Sequence, residues 1–240
     1  MSNRVLKVAA ASVLSISLVA CGGGGSEGTS SGNSVASATD AEVIADLKSS
    51  NIDFLPTNRP AGTWRWLGTP SQHVLVYVPA PANGNTTEQD YVSKVATAIA
   101  TLNRRLTGLL VLESTNSIPQ VGNYIQISFN TSYVPPGSTD YASYCANVST
   151  GPGLGNVIVP DSQNGIASSP VYVNLGNGHC DVTQDIVTHE FGHALGLNAH
   201  FPGFGTGDSI STAYWDVLAT LYGNPQSTAA ANIVVKRAAN

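Results

Sequence analysis

Residues 189–196 read His-Glu-Phe-Gly-His-Ala-Leu-Gly, and no other stretch constrains the fold of this chain as tightly. Residues four apart share one face of an α-helix, so His189 and His193 can point at a single metal ion. Glu190 sits beside the first histidine, where its carboxylate can take a proton from a metal-activated water. Gly196 can adopt the left-handed conformation that ends a helix and turns the chain back towards the metal. The flanks agree with a helix over 182–195. Asp181 or Thr183 can cap its start, and Asp185 lies at its positive end. Ile186, Val187, Phe191, Ala194, Leu195 and Leu197 supply the apolar surface for burial. A buried glutamate needs a partner, and zinc with its bound water is one.

The spacing His189-Glu190-x-x-His193-x-x-Gly196 resembles the active-site helix of the metzincin zinc endopeptidases, most closely the matrixin-like branch. In that family a third histidine follows the glycine by three residues. Ala199 stands there in this chain, and His200 comes one residue later. A one-residue bulge in the loop lets His200 serve as the third ligand, with Asp208 as a substitute. The family also carries a methionine turn beneath the metal. The only methionine here is Met1, so the resemblance places Ile210, in the stretch 208–212, as an apolar floor. The stretch from Tyr214 to Gly223 is similar to the closing helix of these domains, with Tyr214 and Tyr222 as core tyrosines.

Residues 1–20 read as an export signal. Arg4 and Lys7 precede a short apolar run that is too short to span a bilayer. Leu18-Val19-Ala20-Cys21 resembles a bacterial lipoprotein signal, which implies lipidation of Cys21; an ordinary secretory signal with a stray cysteine is the alternative. Gly22 after the cysteine implies the outer membrane, on its periplasmic or surface face. Residues 21–60 read as a Gly/Ser-rich tether and irregular lead-in, with a short helix possible over 40–48. A zinc peptidase domain is expected over 61–225 and a tail over 226–240. In an exported chain Cys145 and Cys180 are expected to form a disulfide that anchors the start of the metal helix.

The signal holds two of the ten basic residues and none of the fifteen acidic ones. Eight basic residues against fifteen acidic ones then leave the exported chain at −7. With no basic patch and no aromatic–basic interleaving, nucleic acid is not an expected partner. Strands are expected at 73–78, 109–113, 124–129 and 171–175, with a short strand or extended segment at 157–159. A helix over 88–106, opened by Thr86 or Thr87, fits the spacing of Val92, Val95, Ile99, Leu102 and Leu106. This order implies an α+β, metzincin-like domain: a twisted, mostly parallel sheet packed on two main helices, the second carrying His189 and His193. The strand at 171–175 is placed at the sheet edge above the cleft, where a peptide could add as a further strand. Residues 132–170 read as a long Gly/Pro/Ser-rich loop.

The expected function is zinc-dependent endopeptidase activity on a protein or peptide substrate. One catalytic Zn2+ sits on His189, His193 and His200, and Glu190 is the general base. The alternative is a non-catalytic surface lipoprotein that keeps zinc and binds a partner.

Overall fold

Valine- and isoleucine-rich runs become the strands of one sheet. The computed structural model describes residues 37–55, 60–67, 72–120, 123–161, 165–166, 170–205 and 210–240. The expected signal, Cys21 and Asp208 lie outside these residues. The strands are β1 (Gln72–Tyr77), β2 (Leu110–Thr115), β3 (Tyr124–Phe129), β4 (Ala146–Ser149), β5 (Pro160–Asp161), β6 (Gly165–Ile166) and β7 (Val171–Leu175). Five of them form a sheet in the order β2-β1-β3-β7-β4. The pairs β1–β2, β1–β3 and β3–β7 are parallel, and β4 closes the sheet antiparallel to β7.

The helices are α1 (Asp40–Leu47), α2 (Thr86–Arg105), α3 (Gln184–Ala194) and α4 (Thr212–Gly223). The described residues thus form a mixed α/β fold with a mostly parallel sheet and four α-helices. Helices α2 and α3 pack on each other, α2 also contacts β2, and α3 contacts β4 and β7. The parallel strands bury one face: Val74 and Val76, Ile125 and Ile127, and Val171, Val173 and Leu175 lie two residues apart along their strands and are all buried. No helix among the described residues is long and apolar enough to cross a membrane.

Three expectations are corrected here. The strand at 171–175 is interior, because Ala146–Ser149 pairs along its outer side. The loop reading of 132–170 hid this strand, because the alternation in Ala-Asn-Val-Ser runs for only four residues inside a Gly/Pro/Ser-rich stretch. Helix α2 begins two residues before Glu88, since Asn85, not Thr86 or Thr87, accepts the Glu88 N–H at 3.1 Å. Residues 157–159 form no strand, and the neighbouring pair Pro160–Asp161 forms the short ladder with Gly165–Ile166.

The packed unit also exceeds the expected 61–225 range at both ends. Thr39 and Glu42 form a reciprocal capping box at the start of α1. Val43 and Leu47 are fully buried, and α1 packs on α4. A π-helical turn, Lys48–Ile52, follows and buries Ser50, Asn51 and Ile52. At the other end Arg237 donates to Asp216 at 2.7 Å and to the Ala38 carbonyl at 2.8 Å, and pairs with Asp40. One cation thereby ties α1, α4 and the carboxy-terminal segment together.

Candidate metal centre

Helix α3 starts where the Thr183 hydroxyl accepts the Ile186 N–H at 3.2 Å, so Thr183 rather than Asp181 is the cap. Behind it, Cys180 forms the expected disulfide with Cys145, with a Cα–Cα distance of 5.8 Å. The bond joins the residue preceding β4 to the approach to α3. It also excludes Cys180 as a metal ligand. Val187, Phe191 and Ala194 point into the core and are fully buried. Each large apolar side chain contributes about 1.5–3 kcal/mol through burial. This fixes the helix rotation and turns His189 and His193 to the opposite side.

The three histidines converge. His200 Nε2 lies 3.2 Å from His189 Nε2 and 3.3 Å from His193 Nε2, and the three ligand atoms all fall within 4.8 Å of one another. Tetrahedral ligation at a Zn–N distance of about 2.0–2.1 Å separates ligand nitrogens by about 3.3–3.4 Å. The His200 separations match that edge. The group His189/His193/His200 can therefore hold a metal ion, and His200 takes its place despite the one-residue offset past Ala199.

Electrostatics favour the ligand form. Burial, then the neighbouring histidines, lowers the His189 pKa well below its usual value. Burial, then the His200 charge, lowers His193 to about 3, with the Leu197 carbonyl opposing. Burial also lowers His200. All three imidazoles are neutral near pH 7, the state that offers a lone pair to a cation. His193 Nδ1 lies 2.6 Å from the Leu197 carbonyl, which can only accept. The ring proton therefore sits on Nδ1, and Nε2 is free to ligate.

Glu190 is 2% exposed, and its Oε2 has no hydrogen-bond partner among the described residues. Burial raises its pKa to about 8. An orphaned buried carboxylate oxygen next to a histidine triad fits a cation and a water better than it fits an apolar core.

Phe204 forms the floor of the site. Its ring stacks on His189 at 4.4 Å and lies 5.0 Å from His193 and 5.5 Å from His200. Tyr214 stacks beneath it at 5.2 Å. Ile210, expected in that role, is a half-buried residue at the margin of the core. The turn at 201–205 carries Phe204 under the rings instead. Gly205 in that turn passes so close to His189 that any Cβ would collide with its imidazole.

The exit of α3 is satisfied one carbonyl at a time. The Trp66 indole N–H donates to the Ala194 carbonyl at 2.8 Å, and the Tyr222 hydroxyl to Leu195 at 3.0 Å. The Asn51 amide donates to the Gly196 carbonyl at 2.8 Å. His193 Nδ1–H completes the series at Leu197. Helix ends leave such carbonyls without intrahelical partners, and buried ones need a donor. Tyr214 donates to the Thr188 carbonyl at 2.8 Å, so both tyrosines are core residues. Asn51, Trp66 and Phe204 carry no motif, and only the aromatic character of the last two hinted at burial.

The described residues thus define a mixed α/β domain whose central helix and following loop bring together a metal-competent histidine triad beside a buried glutamate. No protein-family model matches the chain, and no curated protein matches it.

Proposed function

We propose that this chain is a zinc-dependent endopeptidase of the metzincin kind, exported and held to a bacterial outer membrane through lipid on Cys21. The observation that carries the reading is the triangle of Nε2 atoms at 3.2 and 3.3 Å edges beside the orphaned Glu190 Oε2. An all-imidazole triad suits zinc, and three protein ligands leave a position open for chemistry. A structural zinc site needs four protein ligands and has no use for a base.

When bound, zinc supplies the Lewis acidity that activates a water and polarises a scissile carbonyl. Glu190 takes the water's proton and returns it to the leaving amine nitrogen. Burial raises its pKa in the metal-free chain, and a cation bound beside it would favour the carboxylate form that accepts the proton. His193 keeps its lone pair forward through the Nδ1–H bond to Leu197. Phe204 holds the His189 ring in place by stacking. A substrate strand would add along β4, the sheet edge that contacts α3, rather than along Val171–Leu175.

Glu190→Ala tests this directly. The variant is expected to bind one zinc and fold as wild type while losing about 10²–10⁴-fold in hydrolysis of denatured casein. Unchanged turnover would remove the mechanism. A wild-type protein that holds zinc but cleaves no casein or peptide library would favour the non-catalytic, partner-binding lipoprotein.

A further inference from the structure

The segment ahead of the domain reaches the metal centre. The π-helical turn Lys48–Ile52 interrupts the α-helical phase of α1 and turns Asn51 inward, where it is fully buried. Every polar atom of its side chain is used between two strands of chain. Nδ2 donates to the Trp64 and Gly196 carbonyls, each at 2.8 Å, and Oδ1 accepts the Trp64 N–H at 3.0 Å. The Trp64 indole N–H returns a bond to the Asn51 carbonyl at 2.6 Å. One residue earlier, the Ser50 carbonyl accepts the Asn198 N–H at 2.7 Å. Asn51 and Ser50 thus grip residues 196 and 198 of the turn that leads from His193 to His200.

That turn needs an external hold. Gly196 is left-handed at φ 107°, and the chain must still set an imidazole two residues past Asn198 to within tenths of an ångström. The carbonyls at the exit of α3 otherwise accept from Trp66, Tyr222, His193 itself and, at 3.5 Å, the Asn198 side-chain amide. Among the described residues, Asn51 bridges the turn to the amino-terminal segment by its side chain.

We infer that Asn51 is a positioning residue for the third histidine ligand, and that the α1 segment is an integral brace of the metal centre rather than a lead-in to it. The inference rests on the reading of His189, His193 and His200 as a metal site. It predicts that disturbing the Asn51 amide weakens metal binding only through His200.

The test is a double-mutant cycle on the full chain with zinc alone as the probe, read as the zinc dissociation constant against a chromophoric chelator. Asn51→Asp keeps the shape and the acceptor but loses the donor; Asn51→Ser removes the bridge more gently. Circular dichroism of the metal-free proteins establishes folding, and Leu112→Ala in β2 serves as a destabilised control remote from the turn. The expected result is about 10-fold weaker zinc binding for a folded Asn51 variant, as for other groups that orient a ligand. The control is expected to bind zinc as wild type does. In a His200→Ala background the Asn51 change is expected to have no further effect. A folded Asn51 variant with wild-type affinity, or an equal loss in the His200→Ala background, would overturn the inference while leaving the metal site standing. A wild-type chain that binds no zinc, or binding indifferent to His200→Ala, would instead overturn the site reading and the inference with it. Hydrogen exchange on the wild-type chain gives a second arm that needs no variant. Zinc should slow exchange at the Trp64 and Asn198 amides; protection limited to α3 would refute the coupling.

Discussion

Replacing Glu190 by glutamine should stabilise the metal-free protein in a pH-dependent way while abolishing the proposed activity. The carboxyl is raised from 4.5 to about 8 by burial alone. The folded chain therefore holds this proton more tightly than the unfolded chain does. The stability it contributes is complete below pH 4.5 and is lost as pH rises through about 8. Each pH unit inside that window costs up to about 1.4 kcal/mol, so wild type forfeits roughly 3 kcal/mol between pH 5 and pH 8. Glutamine does not titrate. His189, His193 and His200 titrate in both proteins, so the difference between variant and wild type isolates Glu190. For a domain of this size the Tm difference should widen by about 6–12 °C from pH 5 to pH 8. Calorimetry in a metal chelator reads it. Zinc should shrink the gap, because a neighbouring cation favours the ionised carboxylate. A Tm difference that stays flat from pH 5 to pH 8 would refute the reasoning.

Replacing Cys145 and Cys180 together by alanine should cost about 3–4 kcal/mol, the chain-entropy value for a separation of 35 residues; the midpoint of urea unfolding reads it. Gly196→Ala should cost about 1–3 kcal/mol, since φ 107° is strained for any L side chain and the new Cβ meets the Trp64 carbonyl at 3.2 Å. Because that residue lies between His193 and His200, the same variant should also bind zinc more weakly, which chelator competition measures.

The parts legible in the sequence are those with a short physical period. His189 and His193 share a face because a helix repeats every 3.6 residues, and the apolar side chains Val187, Phe191 and Ala194 set which face. Tyr124–Phe129 and Val171–Leu175 are read to the residue, because β-branched runs bounded by turn residues leave little choice. The disulfide followed from two cysteines in a chain read as exported. His200 was legible only as a candidate, since nothing local says how a loop travels from Gly196.

What escaped the sequence is long-range. The four-residue strand at 146–149 owes its existence to pairing with β7, not to its own composition. Phe204 displaced Ile210 beneath the rings through a loop path that no periodicity encodes. Asn51 lies 145 residues from the carbonyl it caps. A serine- and asparagine-containing stretch after a short helix reads as a lead-in unless its partners are known.

X-ray absorption at the zinc edge of the full chain tests the central claim most directly. The account predicts one zinc per chain with three imidazole nitrogens at about 2.0 Å, falling to two in His200→Ala. A wild-type shell with fewer than three imidazoles, or one that His200→Ala leaves unchanged, would contradict it.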